Sequence, residues 1–258
     1  MAKVKSEPSS KHKRALIIPD CHIPFEDKKA YELMLKCADD VQPDEVVILG
    51  DYADFFNVTA HPKELDISTD LIDEVDAVQA RLMELRAMFP KAKIVYIQGN
   101  HEFRLERYIR DKARELFGVV TIDTLLNLKA LNIHHVPYGP NQKYHVLGSK
   151  LIARHEPISG GTHVAHGTVV KALSSVIFGH THRLQESQIV AIDGGNYRGI
   201  SAGWLGDSSH SVMSYVKNHH QWALGFSIVT VLPCGNWYNQ LVHIIDYKCQ
   251  VDGKIYHG

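Results

Sequence analysis

The chain has 258 residues, 45% hydrophobic and 22% charged, the make-up of a globular protein with a full core. Its 28 Lys and Arg stand against 29 Asp and Glu, a formal charge of −1, so no global basic field marks it for nucleic acid. No apolar run approaches the ~20 residues of a membrane span, and Cys21, Cys37, Cys234 and Cys249 lack CxxC or zinc-ribbon spacing, so a cytoplasmic protein with free thiols and no membrane partner is expected.

Met1–Arg14 is polar and basic without apolar periodicity and reads as a flexible tail; 15–258 reads as a single domain. Ala15–Pro19 is an apolar strand that runs into Asp20-Cys21-His22. Phe25–Val41 follows as a helix with Tyr31, Met34, Leu35 and Ala38 on one face, and Pro43 stops it. Glu45–Leu49 is the next strand and delivers Gly50-Asp51, so a βαβ unit and a partly parallel sheet are expected. Tyr52–Ile67 is a long connection holding Asp54, Phe55, Phe56 and His61 at the ligand end of that sheet.

Thr69–Phe89 has an apolar stripe (Leu71, Val75, Val78, Leu82, Leu85, Phe89), with Ser68 or Thr69 as its cap and Pro90 after it. Lys93–Gln98 is a third strand, delivering Gly99-Asn100-His101-Glu102. Phe103–Phe117 is a helix crowded with arginines, and Arg104 and Arg107 lie near enough to His101 for one of them to face a phosphate. Lys150–Arg154 delivers His155, and Val176–Phe178 delivers Gly179-His180-Thr181-His182. An extended segment would turn His180 and His182 to the same side. Between them, Gly160-Gly161-Thr162 precedes a helix over His163–Leu173 and reads as a flexible turn or an anion-holding amino end. From Gln188 the pattern is strand-like, and Leu224–Leu232 and Gln240–Tyr247 suit a second sheet with antiparallel pairing. Of the 17 histidines only five belong to these strand-end motifs.

Asp-x-His, Gly-Asp, Gly-Asn-His, a lone His and Gly-His-Thr-His, in that order from Asp20 to His182, resemble the calcineurin-like metallophosphoesterase superfamily. The resemblance implies an α/β fold: two packed mixed β-sheets flanked by helices, a four-layer α/β/β/α sandwich. It also implies two divalent metal ions, one on Asp20, His22, Asp51 and His182, the other on Asp51, Asn100, His155 and His180, with Asp51 bridging. A His/Asp/Asn set without thiolate suits Mn, Fe, Zn, Co or Ni, with Mn first. Two such ions about 3.5–4 Å apart activate water and clamp phosphoryl oxygens. His101 would then serve as general acid or transition-state stabiliser, and Asp54 would orient it.

The runs Gly50–Asp54 and Gly99–Glu102 are similar to the Ser/Thr protein phosphatase branch. Phe55-Phe56 stand where that branch has Arg-Gly, and Glu156-Pro157 follow His155 in place of Gly-Gly, which argues against a protein phosphatase. The Phe pair stacks on a base or belongs to the core; both readings stand open. Cys21, between two ligands, reads as a small buried residue. The activity implied is hydrolysis of phosphomono- or phosphodiesters, with a nucleotide or single-stranded nucleic acid as substrate. The alternatives are a nuclease of the same superfamily, a protein phosphatase or a non-catalytic binding protein.

Overall fold

Three strands buried on both faces set the architecture: β1 (Lys13–Ile18), β2 (Glu45–Ile48) and β3 (Lys93–Ile97). Side chains alternate across a strand, and here both sets are apolar. Leu16, Ile18, Val46, Ile48, Ile94 and Tyr96 join one core, while Ala15, Ile17, Val47, Leu49, Val95 and Ile97 join another. That is why these runs are continuously hydrophobic rather than alternating. The structure, a computed structural model, describes residues 12–59, 70–192, 194–209 and 221–258. Most of the basic tail, as well as His61, Ser68 and Thr69, lies outside the described residues, and the first strand begins at Lys13, two residues before the expected Ala15.

The first core is closed by α1 (Lys28–Val41), α2 (Leu71–Met88) and α3 (Asn100–Lys112). Asp27 caps α1 by accepting from the Ala30 N–H, and Asp70 rather than Ser68 or Thr69 stands at the cap of α2, where Asp73 reaches back to its N–H. Helix α3 begins three residues earlier than the sequence suggests, so Asn100 and His101 form its first turn instead of a preceding loop, and it ends at Lys112.

The second core lies between two sheets. The first sheet runs β11-β10-β1-β2-β3-β4, with β4 (Ile133–Val136) parallel to β3, and β10 (Gly225–Val231) and β11 (Trp237–His243) antiparallel beside β1. The second runs β5-β6-β7-β9-β8, built from Tyr144–His145, Ile152–Arg154, Val176–Phe178, Asn196–Ala202 and Leu184–Val190 in that order, with β6, β7 and β9 parallel. The expectation that 224–247 completes the second sheet is therefore corrected. These two strands do pair with each other, but they cover the open edge of β1, with Lys13 opposite Val231.

Helix α5 (Val164–Ala172), fifth after the short α4 (Ile122–Leu125), packs Val164 and Ala165 on Val176 and Phe178 and forms the fourth layer. Gly161 and Thr162 act as a turn, their carbonyls accepting from Arg183 and Gln185. A terminal hairpin, β12 (Lys248–Val251) and β13 (Lys254–His257), which the sequence reading missed, closes on α1, with Cys249 Sγ 3.4 Å from Cys37 Sγ. The result is an α/β/β/α sandwich. Among the described residues no helix is long and apolar enough to cross a membrane.

Candidate metal centre

The carboxyl ends of β1, β2 and β3 meet those of β6 and β7, and all nine expected site residues converge there. Asp20 and His22 follow β1, Asp51 and Asp54 follow β2, Asn100 and His101 open α3, His155 follows β6, and His180 and His182 follow β7. Among the described residues, three groups bring ligand atoms within 4.8 Å of one another: Asp20, His22 and His182; His22, Asp51 and His101; and Asp51, His155 and His180. Asp51 belongs to two of them. His101, expected to stand apart from the ligands, is in the middle group, with Nε2 3.8 Å from Asp51 Oδ2.

The loops that present these groups are strained. His22, Asp51, His180 and His182 all have left-handed backbones, with φ of 54°, 46°, 63° and 58°. The segment 180–182 is thus not extended, and its two imidazoles diverge. His180 Nδ1 lies 3.3 Å from His155 Nε2, whereas His182 Nε2 lies 3.1 Å from His22 Nε2. Close packing sets the glycines here: a Cβ on Gly99 would fall 2.2 Å from Asp51 Oδ1, and one on Gly179 would fall 2.1 Å from Asp20 Oδ1. Both Asp20 oxygens instead accept from the His180 N–H at 2.9 Å.

The ring tautomers test whether the site fits cations. His155 Nδ1 donates to the Leu49 carbonyl at 2.8 Å, which in the neutral ring leaves Nε2 bare. That nitrogen faces Asn100 Oδ1 at 2.9 Å and Asp51 Oδ2 at 3.3 Å. His22 Nδ1 donates to Asp54 Oδ2 at 2.9 Å, so its bare Nε2 faces His182. Lone pairs facing lone pairs repel unless a positive charge lies between them. Metal–ligand bonds of 2.0–2.2 Å would place neighbouring ligand atoms about 3 Å apart, the separations found here. The donor set is N and O without sulfur, as borderline divalent ions prefer.

The electrostatics carry the same message. Burial would lower the His155 pKa, but Asp51 beside it pushes it up to about 10. Burial would raise Asp51, yet His101 and His155 hold it well below the usual carboxylate range. Burial and His101 lower His22, and burial and His155 lower His180.

Asp54 sits under the site with 1% exposure. Besides His22 it accepts from His101 Nδ1 at 3.1 Å, through both its Oδ2 and its backbone carbonyl. Arg104 completes this corner, with Nη1 3.2 Å from the Asp54 carbonyl and Nη2 2.8 Å from His101 Nε2. Phe55 and Phe56 are only 1% and 7% exposed, and Phe56 packs edge-on against Phe25 near Trp204. They are core, which removes the base-stacking alternative for this pair. Cys21 is buried too, its thiol donating to the Pro19 carbonyl.

Two functional positions escaped the sequence reading. Glu102, fully buried, accepts from the N–H groups of Asp51, Tyr52, Ala53 and Gly99 and from the Tyr96 hydroxyl, at 2.7–3.1 Å. It holds the β2 and β3 turns in one frame. Trp204 lies flat on His182, ring centroids 4.9 Å apart, and fixes that imidazole. Only the proximity of Glu102 to the Gly-Asn-His motif hinted at the first, and nothing local hinted at the second.

Comparison with known proteins agrees with this picture. Over 95% of its length the chain is 27% identical to the gene 54 proteins of Mycobacterium phages L5 and D29, covering 98% of each. Among solved structures, it aligns with the phosphoesterase Yfce from E. coli at 14% identity and a TM-score of 0.43, covering 88% of this chain and 98% of that one. It aligns with vacuolar protein sorting 29 from Cryptosporidium parvum at 13% and 0.46, covering 95% of each. The family model for calcineurin-like phosphoesterases matches residues 13–184, from the first strand to just past His182, and the chain belongs to that family.

Proposed function

We propose that the chain is a dinuclear metal-dependent hydrolase of phosphate mono- or diesters. One ion would be held by Asp20, His22, Asp51 and His182, the other by Asp51, Asn100, His155 and His180, with Mn the first candidate. The supporting observation is the convergence of imidazole, carboxylate and amide groups, with His155 Nε2 2.9 Å from Asn100 Oδ1 and 3.3 Å from Asp51 Oδ2 and Asp51 shared between two groups. When bound, such ions supply a nucleophile at neutral pH and positive charge against the phosphoryl oxygens.

The rest of the chemistry falls to the chain's own residues. Asp54 fixes His101 Nδ1–H and favours the charged imidazolium, while Nε2 accepts from Arg104 Nη2 at 2.8 Å, so Nε2 would carry a proton to the leaving oxygen only once Arg104 turns from it to the substrate. Arg104, 2.8 Å from that nitrogen, brings a guanidinium to the substrate side, which the sequence lacks after Asp54, where Phe55 stands. Trp204 and the Leu49 carbonyl keep His182 and His155 in place.

The experiment is elemental analysis of wild type and Asp51→Asn, with hydrolysis of p-nitrophenyl phosphate and bis(p-nitrophenyl) phosphate in Mn²⁺. Two ions per chain, impaired binding of both in the variant and turnover of at least one ester are expected. A single ion retained at full affinity by Asp51→Asn refutes the dinuclear reading.

A further inference from the structure

Helix α3 carries more than its metal-site residues. Asn100, Phe103, Arg107 and Arg110 recur at steps of three, four and three, which places them on one face of the helix. Asn100 Oδ1 is at the centre, 2.8 Å from His180 Nδ1, so the stripe starts there and leads outward for about 15 Å at 1.5 Å per residue. Phe103 and Tyr138 stack, their centroids 5.0 Å apart and planes at 29°; both are half-buried. The Tyr138 hydroxyl donates to Glu156, next to His155, so the stack is anchored to the second sheet as well.

The cations along this face are weakly committed. Arg107 is exposed and makes no hydrogen bond or ion pair to another described residue; its charge falls on Tyr138. Asp111, four residues on, does not pair with it. Arg110 lies 5.1 Å from the Phe117 ring and 6.0 Å from that of Phe103, and its ion pair with Glu106, at 3.6 Å and half exposed, is a weak one. Glu106 is also occupied by Gln98. Aromatic rings beside the candidate metal centre, followed by two exposed and weakly held guanidinium groups, match a base and then phosphates. With a net charge of −1 the protein has no global field for polyanions, so attraction would be confined to this face.

We propose that this face of α3, with Tyr138, is a track for single-stranded nucleic acid that ends at the metal centre. A base would stack on the Phe103/Tyr138 pair, and the next phosphates would meet Arg107 and Arg110. The proposal rests on the phosphoesterase reading for what happens at its inner end, but the track itself binds without chemistry.

The test therefore has two readouts. The first is binding of a fluorescein-labelled oligothymidylate to EDTA-treated protein, followed by anisotropy against salt. The second is the ratio of kcat/KM for the unlabelled oligonucleotide to that for bis(p-nitrophenyl) phosphate in Mn²⁺. Phe103→Leu or Tyr138→Leu should weaken oligonucleotide binding about five- to 150-fold, the worth of one base stack, and lower the ratio in step. Arg107→Gln and Arg110→Gln, both at exposed positions, should each reduce the slope of log K against log salt by about 0.7. Unchanged ratios and slopes overturn the proposal. So does equal binding of a duplex or of a phosphopeptide with the same charge. Hydrolysis of the small diester without oligonucleotide binding removes the track and leaves the phosphoesterase reading; oligonucleotide binding without hydrolysis of any ester does the reverse.

Discussion

Glu102→Gln is the sharpest probe of how this site is built. Oε1 of Glu102 accepts from Tyr52 N, Ala53 N and the Tyr96 hydroxyl, and Oε2 accepts from Asp51 N and Gly99 N. A glutamine keeps one acceptor oxygen. In its better orientation the amide oxygen serves the three donors at Oε1, and its NH₂ then confronts the N–H groups of Asp51 and Gly99. Two buried donors lose their acceptor, at about 1–3 kcal/mol each, so the expected loss is about 2–6 kcal/mol. That is a large part of the ~5–15 kcal/mol by which domains are stable. Tyr96→Phe removes one donor and leaves none orphaned, and should cost only about 1 kcal/mol.

Urea unfolding of the two variants and wild type in EDTA measures this directly, provided the m-values agree. The Asp51 N–H is one of the orphans, so metal affinity of Glu102→Gln should also fall, about 10–100-fold. A Glu102→Gln protein within about 1 kcal/mol of wild type, binding metal normally, would refute the idea that one carboxylate frames both turns.

His101→Ala should keep its metals yet lose roughly 10²–10⁴-fold in turnover, less with p-nitrophenol as leaving group, and Asp54→Asn should lose less than His101→Ala; equal losses for good and poor leaving groups would make His101 a stabiliser of phosphoryl oxygens instead of an acid. Glu74, 1% exposed beneath the Phe56 and Asn57 N–H groups, is pushed up to about 7 by burial and by Asp54. Because the folded pKa is raised, its contribution is fully present below about pH 4.5 and is lost as pH rises through 7; wild type measured against Glu74→Gln in EDTA should lose about 3 kcal/mol between pH 4 and pH 8, and a flat difference would contradict this. Gly179→Ala, which drives a methyl into Asp20 Oδ1, should weaken the Asp20 group of ligands more than the His155 group, which it reaches only through the His180 N–H, and equal losses in metal titrations would contradict this.

The sequence reached the layers because strands between a helix layer and a second sheet are apolar on both faces, and such runs stand out without any alignment. It did not reach the placement of β10 and β11. Their hairpin is local and legible, but their choice of the β1 edge joins Lys13 to Val231, and no short-range pattern encodes such a partner. The nine candidate residues that the structure brings together were legible as Asp, Asn and His at or just after strand ends. Their geometry was not, because the extended backbone assumed for His180 and His182 gives way to left-handed turns that send one ring to each group of ligands. Phe55 and Phe56 looked available for a substrate because loop aromatics often are; here the loop folds back and α2 covers it, Glu74 holding the Phe56 N–H. Glu102 was legible only as the residue closing the Gly-Asn-His run, and its five donors reveal what it does.

Strain and charge at this centre have a common remedy. Four left-handed non-glycine residues cost about 1–3 kcal/mol each, and they persist because other contacts leave the chain no choice. The Asp51 carbonyl accepts from both Cys21 N and His22 N, Glu102 holds Asp51 N, and Asp20 holds His180 N. Those contacts fix the backbone but do nothing for the ring nitrogens, which still face oxygen lone pairs and one another. Protonation can relieve this, as the raised His155 shows, but it spends the lone pair that would serve as a ligand. A divalent ion relieves it without that loss and adds its binding free energy to the folded state alone. The fold therefore carries the backbone strain in its hydrogen bonds, and it leaves the electrostatic strain to be released by a cation among these groups.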